Sequence, residues 1–454
     1  MSCRSIFLPR AGSTKIARGL FLSLIAAAST VYSQDAVRPS LAGEAASEAR
    51  AEDVTRIPYN LELGPVRLRL SATVGVEYND NINYAENGSG FVSTPTGPVF
   101  VTSHKEDDFI ITPHANVDAI WPITQLNTLR LDLGIGYAFY LDHSENDTHA
   151  ILIAPNSQIA FDIFVGDFRI NIHDKMSLQQ DPIDEPALSG VANYGRFENT
   201  AGISLLWDLN KILVTLEYDH YNFVSTTSNF DYLDRNAEIV GGTISYVVNP
   251  TINVGVEGNA VFTRYDQTVL NDNRDYSVGG FVEAQITNNV KLRVAGGYQW
   301  IDFDHSFVTF DVLTPFGILP FQFRDHKNLE DYYVNGLISH RINASITQSL
   351  SAGHENQLGV DSNYITLNYV RHTVTWNIIR NTLLSTEFFF EDAEESGGFN
   401  NESFQRIGGA VTVGYQLTPH VTLGVRYQGT SKDSDVFLRD YNQNRISVDG
   451  TYSF

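Results

Sequence analysis

The sequence predicts an all-β fold, a transmembrane antiparallel up-and-down β-barrel of about 18 strands, and three observations lead there. The last ten residues alternate strictly: Ile446, Val448, Gly450, Tyr452 and Phe454 fall on one face, and Arg445, Ser447, Asp449, Thr451 and Ser453 on the other. A strand with one apolar and one wet face, ending on an aromatic residue, fits a closing strand whose side chains face lipid and lumen in turn. The chain also begins with an export signal, and the connections between its strand-like segments are short and long by turns.

The amino-terminal segment supplies the compartment. Residues 1–33 carry Arg4, Arg10, Lys15 and Arg18 and no acid, then the apolar run GLFLSLIAAASTVY, with Val31 and Ser33 placed for cleavage before Gln34. That run is shorter than the ~20 residues of a spanning helix and no stop-transfer charges follow, so it reads as a removable signal peptide. Cys3, the single cysteine, leaves with it, which removes disulfide and thiol chemistry from the mature chain.

Beyond the signal no stretch approaches ~18 uninterrupted apolar residues, which excludes a bundle of membrane helices. Mean hydropathy is only −0.15. A barrel conceals its hydrophobicity by alternation, while aromatic residues at 12% suit girdles at the two membrane interfaces. A soluble sandwich, propeller or β-helix shares this composition; the rhythm of the connections separates them.

One series of connections is tight and rich in turn residues: Ile123-Thr124-Gln125, Gly166-Asp167, Leu209-Asn210-Lys211, Asn249-Pro250, Asn288-Asn289, Arg380-Asn381 and Thr418-Pro419-His420. These are expected at the periplasmic side. The alternate connections are longer, acidic and rich in Asn, Gly and Ser, at about 80–107, 142–148, 181–194, 225–231, 267–273, 304–328, 359–363, 392–401 and 432–440. Strands are expected at about 66–79, 107–120, 127–141, 151–165, 168–180, 195–207, 212–224, 233–248, 252–265, 275–287, 290–303, 329–342, 345–357, 364–378, 382–391, 403–417, 420–431 and 441–454. An even count returns both ends to the periplasm. The pattern is ragged around 168–180, 329–342 and 345–357, which leaves sixteen strands open.

Register inside the strands assigns the faces. In the first, Val66, Leu68, Leu70, Ala72, Val74, Val76 and Tyr78 oppose Arg67, Arg69, Ser71, Thr73 and Glu77; in the third, Leu129, Leu131, Leu133, Ile135, Tyr137, Phe139 and Leu141 oppose Arg130 and Asp132. A basic side chain on the lipid face costs about 2–4 kcal/mol at mid-membrane, so the charged set is expected to face inward.

Removal of the four basic signal residues leaves 26 Lys and Arg against 53 acids, a net charge of −27. Acidic loops read first as solvated surface. A second reading is that their carboxylates hold divalent cations that bridge to anionic lipopolysaccharide, since hard cations take oxygen ligands. Nucleic acid is not an expected partner, because phosphate binding needs basic patches. Residues 34–64 read as a periplasmic leader, too small for a plug domain, and residues 65–454 as the barrel.

Catalytic patterns are poor. His354-Glu355 lacks the second His of a zincin helix, no Gly-x-Ser-x-Gly occurs, and GGAVTVG lies in a strand where it cradles no phosphate. No enzyme activity, cofactor or metal is expected.

The passage VGVEYNDNINY from Val74 to Tyr84, followed after a long loop by DDFIITPHANVD from Asp107 to Asp118, resembles the beta-barrel porin 2 family of bacterial outer-membrane proteins. Tyr78, Asp80, Asn81 and Pro113 carry the likeness, and the terminal Phe454 is consistent with it. The resemblance implies a porin-like outer-membrane barrel, in some members encoded with exopolysaccharide synthesis and export machinery. It implies no catalytic residues.

Barrels of sixteen to eighteen strands are wide enough to enclose water. Arg67, Arg69, Arg130, Asp132, Glu217, Asp219, Lys291, Arg293, Arg371, Arg426, Arg445 and Asp449 are therefore the candidate pore-lining residues, each with a wall-to-wall ion pair as its plainer reading. The loop 304–328 contains FVTFDVLTPFGILPFQF, apolar enough to fold inward as a constriction or to cover the mouth; Phe91 to Lys105 is the second choice. Tyr452 and Phe454 are read as the signal recognised by the barrel-assembly machinery. The expected function is passive passage of hydrophilic solutes, with a secreted polysaccharide as favoured cargo. A structural or adhesive barrel and a rim-sited hydrolase are the alternatives. A monomer is expected, in contact with outer-membrane lipids and lipopolysaccharide.

Overall fold

The computed structural model describes residues 59–94, 97–124, 127–314 and 317–454. The signal peptide, the leader up to residue 58 and the turn residue Gln125 lie outside them. Eighteen antiparallel strands form one closed wall: β1 Val66–Asn79, β2 Asp108–Pro122, β3 Thr128–Gly136 continued by Phe139–Tyr140, β4 Leu152–Val165, β5 Phe168–Gln179, β6 Arg196–Asp208, β7 Ile212–Ser225, β8 Arg235–Asn249 and β9 Ile252–Tyr265 make the first half. The second half comprises β10 Asn273–Thr287, β11 Val290–Phe303, β12 Asn328–Arg341, β13 Ile346–Leu358, β14 Tyr364–Ile379, β15 Thr382–Glu395, β16 Ser403–Thr418, β17 Val421–Ser434 and β18 Tyr441–Ser453. Each pairs with its chain neighbours, and β18 returns to β1 from Arg445↔Asn79 to Ser453↔Ser71. Eighteen is the even number the alternation predicts.

The faces follow the two-residue period. Outward positions such as Val74, Leu216, Ile244, Val256, Val278 and Val448 stay largely exposed, which a soluble protein would not tolerate in a continuous belt. A 14-residue strand tilted by about 40° covers roughly 35 Å, enough for the ~25 Å apolar band and its rims. All four tryptophans sit on this outer surface at its edges: Trp121, Trp207 and Trp376 near the short turns, and Trp300 beside Tyr276 and Tyr298 near the long loops. Among the described residues no helix is long and apolar enough to cross a membrane. A closed wall with a lipid-facing belt pairs its backbone from strand to strand without one, and this is an outer-membrane barrel.

Three departures from the expected strands have local causes. The third strand breaks at Tyr137-Ala138 instead of running through to residue 141. The opposing segment of β2 carries Pro113, which has no N–H to give the ladder, and only the Tyr137 N–H reaches its carbonyl at 3.0 Å. The ladder between β12 and β13 ends at Val334↔His354, so the outer six residues of β12 have no β13 partner. Side chains close that seam: His354 Nε2 lies 2.9 Å from Asp331, and Leu358 packs on Ile301, Phe303 and Leu329. The ragged alternation around 329–342 and 345–357 comes from this seam, where His354 and Asn356 bond to Asp331 although their register puts them with outward neighbours. Finally, Leu61–Leu63 pairs back on β1 through Gly64 at φ +60°, so the end of the leader is docked.

Candidate channel lumen

The long connections build the outer half of the lumen. Residues 181–195, between β5 and β6, fold inward. Asp181 starts a single turn, Pro182–Asp184, by accepting the Ile183 N–H at 3.0 Å, with Pro182 in the position that needs no donor. The segment is then fastened to wall strands well away from its own. Arg445 of β18 donates to Asp181 Oδ2 at 2.6 Å, and the Tyr84 hydroxyl to Asp181 Oδ1 at 2.5 Å. Arg406 of β16 donates to the Ile183 carbonyl at 2.6 Å, and Lys432 of β17 to the Ala187 carbonyl at 3.3 Å. Arg439 also donates to the Ala187 carbonyl, while its Nε and the Lys432 ammonium each stand 2.8 Å from the buried Glu402 carboxylate.

Apolar packing holds the fold from above. Leu188 and Tyr194 of this loop meet Phe223 of β7, Leu233, Val261 of β9, Leu367 of β14 and Phe404 of β16 in one buried cluster, on side chains that a plain aqueous pore would make polar. Each such burial is worth about 1.5–3 kcal/mol. Residues 307–324 form a hairpin, Phe307–Thr314 with Gly317–Arg324. Its Val308 is fully buried in the cluster, and Phe310 and Phe323 pack against Phe399. This hairpin covers the mouth, as one of the two expectations had it. The constriction is instead formed by 181–195, a segment read from sequence only as an acidic outer loop. The hairpin Gly88–Thr94 with Gly97–Ser103 leaves Phe91 and Phe100 exposed and contributes no residue to the lining of the lumen cavity.

Beneath the loop lies a cavity of about 570 Å³. The loop contributes Asp181, Asp184 and Glu185, and the wall contributes Arg235, Arg293, Arg371, Arg406, Arg426 and Arg445. Most of the arginines are held by wall carboxylates: Arg371 and Arg406 by Glu391 at 3.2 and 2.7 Å, Arg426 by Glu387 at 2.9 Å, Arg293 by Glu257 at 3.0 Å, and Arg445 by Glu77 at 2.8 Å. Burial pushes the Asp181 carboxyl up, but Arg445 and the bonds from Tyr84 and the Ile183 N–H outweigh it and hold Asp181 below the usual range. Glu185 has no such clasp; burial raises it to about 7 against the weaker pull of Arg196 and Arg235.

Of the residues singled out from sequence, Arg293, Arg371, Arg426 and Arg445 line this cavity. Arg130 and Asp132 lie on the inner wall, with Arg130 bonded to Asp162 at 3.1 Å and Asp132 accepting from Gln158 at 3.0 Å. Glu217 and Asp219 are buried on β7, with Asp219 3.0 Å from His173. Asp449 lies over Gly75, where a Cβ would come within 2.5 Å of its Oδ1. Arg67, Arg69 and Lys291 sit nearer the short-turn end; Arg67 stacks over Tyr59, Arg69 stands opposite Asp118, and Lys291 is exposed. Sequence reasoning missed Arg235, Arg406 and the whole loop set. The available signal was apolar residues at inward positions near the outer strand ends, Tyr221 and Phe223 for example.

No family model matches the chain, and no curated protein does. Among solved structures, OccK2 (OpdF) of Pseudomonas aeruginosa in complex with glucuronate is similar at 13% identity and a TM-score of 0.44, covering 85% of this chain and 98% of that one. P. aeruginosa OpdK with vanillate shows 11% identity and 0.44, covering 85% and 99%. A BenF-like porin from Pseudomonas fluorescens Pf-5 shows 11% and 0.45, again covering 85% and 99%. Likeness at this level fixes no family and no solute. The family resemblance noted from the sequence therefore rests on Tyr78, Asp80, Asn81 and Pro113, with the terminal Phe454 in keeping.

Proposed function

We propose that the protein is a porin-like outer-membrane channel for passive passage of small hydrophilic solutes. The observation that carries this reading is the loop 181–195, pinned inside an eighteen-stranded wall with Asp184 and Glu185 facing a cavity edged by arginines. Such a lumen is narrow, polar and bipolar. A solute must shed part of its water there, and charged walls replace those lost contacts in proportion to how well its own charges match. The wall ion pairs fix the arginines in place, so the field is set before a solute arrives.

Export of an exopolysaccharide, the cargo implied by the family resemblance, is the finer reading. The geometry lends it less support, since a polymer would have to displace the Asp181 clasp along its whole passage. Membership of the beta-barrel porin 2 family belongs to the same proposal, as do contacts with lipopolysaccharide and a monomeric state.

The test is reconstitution of the folded mature protein into planar bilayers and liposomes. Stepwise conductance and swelling in small charged or hydroxylated solutes are expected. A folded barrel that admits neither ions nor solutes contradicts the reading and favours a structural or adhesive role.

A further inference from the structure

We propose that His173, Glu217 and Asp219 form a divalent transition-metal site on the inner wall, of the kind that takes Zn²⁺. One ligand atom from each lies within 4.8 Å of the other two. The residues come from β5 and β7, on either side of β6. Register sets His173 and Asp219 opposite the same residue, Gly202. The bare backbone there is required, because a Cβ on Gly202 would stand 1.7 Å from Asp219 Oδ1. Across that gap His173 Nε2 lies 3.0 Å from Asp219 Oδ1, close to the ~3.3 Å edge of a tetrahedron with bonds of about 2.0 Å.

A second observation fixes the imidazole. Asn171 Nδ2 donates to Asp162 Oδ1 at 2.9 Å, and Asp162 is itself held by Arg169 at 2.8 Å. The Asn171 carbonyl oxygen therefore turns to His173 Nδ1, 2.9 Å away, and must accept from it. Nδ1 is thereby committed to this bond, and Nε2 is the ring nitrogen turned toward the carboxylates. An imidazole held in this way by an outer partner is the arrangement that supports metal ligation.

A third concerns charge. Glu217 is 9% exposed and has no ion pair among the described residues. Its close neighbour is the like-charged Asp219, and Lys175 on β5 acts on it only at a distance. A single proton on Nε2 balances one of two carboxylates, whereas a divalent cation balances both. The imidazole favours Zn²⁺-like ions over Mg²⁺ and Ca²⁺, which prefer all-oxygen sites. Bound there, the ion ties β5 to β7 across β6 and neutralises an acidic stretch of lumen wall.

The test uses the folded mature protein in detergent, titrated with Zn²⁺ alone and followed by calorimetry, with X-ray absorption of the loaded protein. One equivalent is expected that disappears in His173→Ala and weakens about 10–100-fold in Asn171→Leu. The absorption shell should contain an imidazole nitrogen at about 2.0 Å. Equal Zn²⁺ binding by the wild type and His173→Ala, or an oxygen-only shell from the acidic loops, overturns the proposal. If His173→Ala loses the heat-dependent gel mobility of a folded barrel, the wild-type absorption spectrum decides by itself. Neither readout depends on conduction, so a closed channel leaves the result standing.

Discussion

Arg445 on the closing strand donates to Asp181 Oδ2 at 2.6 Å while its Nε holds Glu77 of the first strand at 2.8 Å. One guanidinium thus joins the barrel seam to the loop that narrows the lumen, so a side chain at the closing strand also sets the shape of the channel.

Arg445→Ala is expected to release the loop without opening the wall, because nine residue pairs of the β1–β18 ladder remain. The docking loss should be near the lower end of the 1.5–3 kcal/mol of a charged hydrogen bond, as Asp181 is partly open to water. Single-channel recording should show larger and noisier conductance, and Asp181→Asn should behave similarly. Unchanged conductance in both variants contradicts the clasp.

Glu185 is expected to make the lumen sensitive to pH. Its carboxyl is raised from 4.5 to about 7 by burial, so the docked loop binds the proton more tightly than an undocked one. Docking is therefore favoured below about 4.5, loses strength as pH rises to about 7, and levels off above it. Ionisation also adds a negative charge beside the arginines. Reversal potentials should shift toward cation preference between pH 6 and 8, and Glu185→Gln should flatten that shift.

Gly202→Ala is expected to destabilise the barrel by about 1–3 kcal/mol, since its methyl meets Asp219 Oδ1 at 1.7 Å and the Tyr218 carbonyl at 2.6 Å. Gly258→Ala is the control, with Ser277 O at an ordinary 3.5 Å. Heat-dependent gel mobility of the two variants should separate them clearly.

Phe454 stands exposed at the periplasmic edge with its ring 5.0 Å from that of Tyr452. Removal of Phe454 should leave refolding into detergent nearly unaltered but lower the amount reaching the outer membrane in cells several-fold. Equal amounts by fractionation and blotting would assign the terminal aromatics to the lipid interface only.

The wall was legible in the sequence because a two-residue period is written locally. Val74 and Val76 against Thr73 and Glu77 state their faces without reference to any other strand. The lumen was less so. Arg445 and Asp181 are 264 positions apart, and nothing local marks them as partners. The loop 181–195 looked like solvated acid because its carboxylates are visible in sequence, whereas the cavity that receives it forms only when Phe223, Leu367 and Phe404 converge from three separated strands. His173 was overlooked for a related reason: its tie to Asp219 passes over a glycine on an intervening strand. The break opposite Pro113 and the seam at His354 are pairing effects, invisible until each strand has its neighbour.

The most direct test of the central account is single-channel conductance of the folded wild type beside a variant lacking residues 183–188. Discrete ohmic steps are expected for the wild type, and markedly larger steps, with weaker charge selectivity, once the inward loop is gone. Wild-type and shortened barrels that conduct equally, or that both remain silent while fully folded, would contradict it.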